Sequence, residues 1–226
     1  MTNSKKITVI GATGGSGRKT IEALLNQGHQ VTAVSRSASK AFGPEVRSID
    51  GSALDKDVLR KAIKGQDAVI VTLGISENPI RVRTLGPAKT PMNIRSEGTR
   101  NVIEVMKELG VKRLVVQTTF GSGPSRNKLG TVDSLFFNLL LKPQIADTEK
   151  QDEFVRNSGL DWTITQPVHL KEDDFKEGDI VADFDSGVQR MGISRKLVGL
   201  YTASAFNNST TIGKTVALST TQIKGD

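Results

Sequence analysis

The chain has 226 residues, a formal net charge of +7, two histidines and no cysteine. That length suits one domain, or one domain with a small cap; the missing cysteines exclude disulfides, thiolate catalysis and cysteine-ligated metals, and two histidines argue against a histidine-rich metal site. The basic residues are scattered, with one Trp and one Tyr for stacking, and no apolar run approaches the ~20 residues of a membrane span. The chain therefore reads as a cytoplasmic protein with a solvated basic surface, without membrane or nucleic-acid partners.

The most informative stretch comes first. An apolar run, Ile7 to Ile10, breaks into glycines at 11, 14, 15 and 17, then resumes with helical spacing at Ile21, Leu24 and Leu25. Strand, tight glycine turn and helix is how a dinucleotide pyrophosphate is held: backbone N–H groups approach the phosphates and the helix N-terminus supplies partial positive charge. The spacing is G-x-x-G-x-x-G, not the strict G-x-G-x-x-G. The turn makes Gly11, Thr13, Gly14, Gly15, Ser16 and Gly17 candidate cofactor residues. Gly28 closes the helix, and Gln30 to Ser35 reads as the second strand. An NAD-selective site places an acidic residue at the end of that strand. This chain has Ser35-Arg36-Ser37 there, with Lys40 just beyond. An arginine offers a planar fork to the 2′-phosphate, so the expected cofactor is NADP(H), met by Arg36 and Ser37.

Strands and helices then alternate. Strands are expected over 46–50, 68–71, 114–118, 161–165 and 215–219. Helices are expected over 54–63, 96–109, 147–157 and from Ser194 to about Phe206. Residues 75–91, with Pro79, Pro87 and Pro91, form a long loop. This βα rhythm predicts a Rossmann-type α/β fold, a doubly wound parallel sheet in a single domain spanning 1–226. Two stretches break the rhythm. Gly121 to Asn127 reads as a flexible loop. Val132 to Leu141, with Leu135, Phe136 and Phe137, reads equally as a core helix, a substrate lid or a dimer face. Together they make 121–145 a lid or interface segment, in a monomer or a homodimer.

In an open parallel sheet, ligands sit beyond the carboxyl ends of the strands. Those positions are Thr72-Leu73-Gly74, Thr118-Thr119-Phe120 and Gln166-Pro167-Val168-His169. His29 lies at the opposite edge and reads as structural. Many nicotinamide alcohol/ketone enzymes use a Tyr-x-x-x-Lys pair, in which the lysine lowers the tyrosine pKa. Tyr201 is followed four residues later by Ala205, so that acid is absent. The remaining donors are Thr119, His169 and Lys150. A threonine hydroxyl orients rather than protonates. This fits hydride transfer to a small-molecule acceptor that takes its proton from solvent.

Five motifs carry a resemblance: Gly11-Ala-Thr-Gly-Gly-Ser-Gly17, Gly65-Gln-Asp-Ala-Val-Ile-Val71, Ser96-Glu-Gly-Thr-Arg-Asn-Val102, Ser158-Gly-Leu-Asp-Trp-Thr163 and Gln166-Pro-Val-His169. In order and spacing the chain resembles the atypical short-chain dehydrogenase/reductases. The nearest likeness is to the flavin reductase/biliverdin-IXβ reductase group within the NmrA-like, NAD(P)H-binding set. The resemblance implies that Gly11 to Gly17 holds the pyrophosphate and Arg36 meets the 2′-phosphate. It places Asp50-Gly51 where the family's Gly-Asp pair meets adenine, in reversed order. It places Thr118 and Thr119 beside the nicotinamide and substrate, and Pro167, Val168 and His169 along the nicotinamide. The implied function is an NADPH-dependent reductase of a flavin-like, quinone or other planar acceptor. The alternative is a non-catalytic NADP(H) sensor acting through a protein partner. A nucleotide-sugar epimerase usually needs the missing Tyr-Lys pair and ranks lower.

Overall fold

The computed structural model describes residues 4–75, 90–128, 130, 142–172 and 178–221. Its strands are β1 (Lys6–Ile10), β2 (Gln30–Ser35), β3 (Val46–Asp50), β4 (Ala68–Val71), β5 (Arg113–Gln117), β6 (Asp161–Pro167), β7 (His169–Lys171), β8 (Ile180–Asp183), β9 (Gly192–Ser194) and β10 (Lys214–Thr220). Its α-helices are α1 (Gly15–Asn26), α2 (Lys56–Ile63), α3 (Ile94–Glu108), α4 (Lys142–Arg156) and α5 (Arg195–Ala205). Eight strands form one sheet in the order β3-β2-β1-β4-β5-β6-β10-β8, parallel except for the antiparallel edge strand β8. A short parallel pair, β7 and β9, stands apart from it.

Period-two alternation explains the two-sided burial. On one face Ile10, Val69, Val71, Leu114 and Val116 pack with Leu59 of α2, Val102 and Met106 of α3 and Val155 of α4. On the other, Ile7, Val9, Ile70 and Val115 pack with Ile21 and Leu24 of α1 and with Ala203 and Phe206 at the end of α5. The strand order reverses at β1 and β4, so their carboxyl ends open the crevice in which a doubly wound sheet holds its ligand. His29 is structural: it is buried edge-on against Phe206 at 5.1 Å, and burial lowers its pKa.

Several boundaries move. α2 starts at Lys56 rather than Leu54 because Asp55 caps it, accepting from the backbone N–H of Asp57 and Val58. α4 starts at Lys142, ahead of the expected Asp147; Pro143 falls in its first turn, where a missing N–H is tolerated. β6 continues to Pro167 because β10 pairs with it as far as Leu218. The expected loop at 121–127 is a 3₁₀ helix over Gly123–Lys128. The Ser125 hydroxyl accepts from the Gly121 N–H and donates to the Ser122 carbonyl, so local side-chain bonds order a Gly/Ser-rich stretch. Most of the loop at 75–91 and the apolar segment at 132–141 lie outside the described residues. No helix among the described residues is long and apolar enough to cross a membrane.

Candidate active site

A cleft of about 760 Å³ runs along the carboxyl ends of the parallel strands, within the size range of small-molecule sites. At its centre is the turn from β1 into α1. Gly11 has φ +86°, and a Cβ there would stand 2.8 Å from the Thr72 carbonyl oxygen. Gly17 is packed as tightly: its Cβ would meet the Gly11 and Ala12 carbonyl oxygens at 2.6 and 2.9 Å. Gly14 differs, since its Cβ would find only the Gly11 carbonyl at 3.4 Å while the residue lines the cleft. Gly11 thus permits the tight bend and Gly17 the helix-on-strand packing, while Gly14 leaves its part of the turn open to the cleft. No side chain caps α1 and its first turn carries no acidic residue. Its N–H groups are fit for an anion.

Toward β2 the cleft is lined by Ser35, Arg36 and Ser37. The Arg36 guanidinium donates to the Thr90 hydroxyl at 3.3 Å. Toward β5 and β6 it is lined by Gln117, Thr118, Thr119, Phe120, Pro167, Val168 and His169. The Thr118 N–H donates to Thr165 and the Phe120 N–H to Pro167, so the sheet ladder itself positions the two threonines.

Of the residues expected from sequence, the structure brings Gly11, Thr13, Gly14, Gly15, Ser16, Arg36, Ser37, Gly51, Thr72, Leu73, Gly74, Thr118, Thr119, Pro167, Val168 and His169 into this one cleft. Gly17 stands behind it as a packing residue. Asp50 does not line it: its carboxylate accepts from the Ser39 N–H and hydroxyl at 2.8 and 2.5 Å, which hold its pKa down. Gly51 keeps its place because a Cβ there would strike Val58 at 2.6 Å. Lys150 is exposed on α4 and outside the cleft.

Among the polar side chains of the cleft that sequence reasoning missed are Gln117, Arg195 and Arg95. Gln117 donates to the Ser16 hydroxyl at 3.1 Å and ties β5 to the first turn of α1. Arg195, the first residue of α5, lies over Gly15, where a Cβ would come within 2.6 Å of it, and pairs with Glu172 at 2.6 Å. Arg95, in the first turn of α3, donates to Thr148 at 2.7 Å. Only Arg195 left a trace: it follows Ser194, whose hydroxyl caps α5.

Behind Thr118 and Thr119 lies a buried acid. Asp152 accepts from the Ser122 hydroxyl at 3.1 Å and the Gln166 carboxamide at 3.2 Å, with Arg156 at 3.4 Å. Burial pushes its carboxyl from 3.8 up to about 6, against the opposing effects of Arg156, Ser122, Thr118 and Gln166. The folded protein therefore binds this proton more tightly than the unfolded chain does. The associated stability is full below the unfolded value and is lost as pH rises through about 6. Asp152→Asn, which mimics the protonated form, is expected to stabilise the protein by roughly 1–2 kcal/mol above neutrality and to have little effect near pH ~4. Thermal melts of both proteins across that range check this.

The model of a family described as NAD(P)H-binding matches residues 11–209. The chain belongs to the NAD(P)H-binding family. The match covers both the glycine turn and the carboxyl ends of β4, β5 and β6. An uncharacterized chloroplastic protein of Arabidopsis thaliana is similar to this family member, 26% identical over 203 residues that cover 86% of this chain and 69% of that protein. A 3-diazoavenalumate denitrifying reductase of Streptomyces sp is 31% identical over 122 residues, covering 53% of this chain and 40% of that protein. The solved structure of ChuY, an anaerobilin reductase of Escherichia coli O157:H7, shares the fold, with a TM-score of 0.74, 20% identity and coverage of 98% of this chain and 100% of that one.

Proposed function

We propose that the protein is an NADPH-dependent reductase that delivers a hydride to a flavin-like, quinone or other planar conjugated acceptor. The observation that carries this reading is the make-up of the cleft at the ends of β5 and β6. Phe120, Val168, Leu170 and Met191 give it apolar walls, with the Thr119 hydroxyl and the His169 ring among them. Apolar walls with a few polar groups suit a conjugated ring system. Tyr201, the chain's only tyrosine, is on α5 away from the cleft, and burial raises its pKa, the wrong direction for a general acid. The 31% identical Streptomyces protein carries a reductase name, which supports redox chemistry.

In this reading the N-terminus of α1 and Gly14 hold the pyrophosphate, and Arg36 with Ser37 holds the 2′-phosphate. Bound NADPH supplies the hydride. Thr119 orients the acceptor by a hydrogen bond, His169 borders the same pocket, and the apolar walls exclude bulk water from the transfer. The proton that completes the reduction comes from solvent. Thr119→Ala is expected to lower turnover by roughly 10- to 100-fold with cofactor affinity unchanged, because a positioning hydrogen bond is worth at most a few kcal/mol. His169→Ala is expected to leave the shape of the pH–rate profile intact. A lost limb would make His169 the proton donor.

The missing Tyr-x-x-x-Lys pair also suits a second reading, a sensor that binds NADP(H) without turnover. Steady-state NADPH oxidation with a panel of flavins and quinones separates them. Turnover well above the protein-free rate supports the reductase. Tight cofactor binding with no turnover supports the sensor.

A further inference from the structure

We propose that Arg95 is the anion receptor of the acceptor subsite, binding a carboxylate or phosphate substituent carried by the planar acceptor. The proposal rests on the reductase reading above and names the substrate class more closely. Arg95 is partly buried and lines the cleft. Its Nη1 donates to the Thr148 hydroxyl at 2.7 Å. Thr148 is fully buried and donates in turn to the Gln144 carbonyl at 2.9 Å, so this neutral hydroxyl orients the guanidinium without balancing its charge. Nη2 lies beside Gly74, 3.5 Å from where a Cβ on that glycine would stand. The Nε–H is buried and has no acceptor among the described residues.

Among the described residues, the carboxylate that offsets the charge, Asp147, is already engaged. Asp147 accepts from the backbone N–H of Arg95 at 3.1 Å, from that of Ser96 at 3.3 Å and from the Ser96 hydroxyl. It caps the first turn of α3 and makes no ion pair with the guanidinium. Burial lowers the Arg95 pKa and Asp147 opposes this only through space. A cation partly withdrawn from water, with no paired anion among the described residues, is costly. A planar fork in a cleft is suited to a two-oxygen partner from a ligand.

Position decides between the anions a ligand could bring. The phosphates of NADPH are accounted for by Arg36 after β2 and by the N-terminus of α1 after β1. Arg95 bridges Gly74 after β4 and Thr148 on α4; β4 adjoins β5, whose carboxyl end leads to Thr119, and is separated from β2 by β1. That end of the cleft would face the uncharged nicotinamide and the acceptor. The anion that Arg95 meets there belongs to the acceptor.

The test uses acceptor pairs with one ring system and different charge: FMN against riboflavin for a phosphate, and biliverdin against its dimethyl ester for carboxylates. Binding of each to the NADP⁺-loaded protein is measured by titration, for the wild type, Arg95→Met and Arg95→Lys. The expected result is that the wild type favours the anionic member of at least one pair by about tenfold or more. Arg95→Met should erase that preference, Arg95→Lys should keep part of it, and NADPH affinity should be unchanged in both. If Arg95→Met fails to fold, Arg95→Lys decides, because loss of the fork should shrink the preference in a folded protein. No preference in the wild type, or one that survives both substitutions, overturns the proposal. A loss confined to NADPH affinity places the anion on the cofactor and also overturns it. Failure of the wild type to bind NADPH would instead overturn the reductase reading itself.

Discussion

Gly14→Val is expected to abolish NADPH binding, a loss of at least about 1000-fold, in a chain that still folds. The fold tolerates the change because Gly14 has φ −65° and ψ 158°, an extended conformation that a β-branched residue adopts without strain. Its Cβ would meet only one protein atom, at ordinary contact distance. The added side chain would stand at the mouth of α1, where the pyrophosphate must approach the backbone. Gly17→Val is the contrasting control. There the Cβ would run into the Gly11 and Ala12 carbonyls at 2.6 and 2.9 Å, so this variant is expected to lose the fold along with the cofactor. Circular dichroism and calorimetry on both variants separate the two effects. A folded Gly14→Val protein that binds NADPH normally would place the cofactor elsewhere.

Arg36→Ala is expected to weaken NADPH binding by about 10- to 100-fold and to leave NADH binding nearly unchanged. A charge-assisted bond to the 2′-phosphate is worth about 1.5–3 kcal/mol, and NADH lacks that phosphate. The side chain lines the cleft at the end of β2, and its bond to Thr90 is to a neutral hydroxyl that a phosphate can replace. Calorimetry with both cofactors checks this. Equal losses for the two would show that Arg36 does not read the phosphate.

Much of the architecture was legible because buried parallel strands leave continuous apolar runs. Ala68–Val71 is fully buried and was readable as a central strand from its four side chains alone. β7, β8 and β9 were not legible: each is three or four residues long, too short to establish alternation. The glycine turn and the place of Arg36 in the cleft could be read because strand, turn and helix fix the carboxyl edge of the sheet. The Ser39 bonds of the Asp50 carboxylate could not be read, since adjacency to Gly51 in sequence says nothing of Ser39. Arg95 was invisible for another reason, and Arg195 left no more than the Ser194 cap before it. Each is one more arginine in a basic chain, and its place depends on tertiary contacts, with Thr148 of α4 and with Gly15 and Glu172 respectively. Asp152 reads as an ordinary helix-surface acid until α4 packs and buries it beneath Ser122 and Gln166.

The most direct test of the central claim is a single-turnover experiment. Protein in excess over NADPH is mixed with a planar acceptor, and the dihydronicotinamide absorbance is followed in time. The account predicts a decay far faster than the protein-free reaction, slowed by roughly 10- to 100-fold in Thr119→Ala and absent in Gly14→Val. A protein that binds NADPH tightly yet leaves it to decay at the protein-free rate, across flavins, quinones and linear tetrapyrroles, would contradict it.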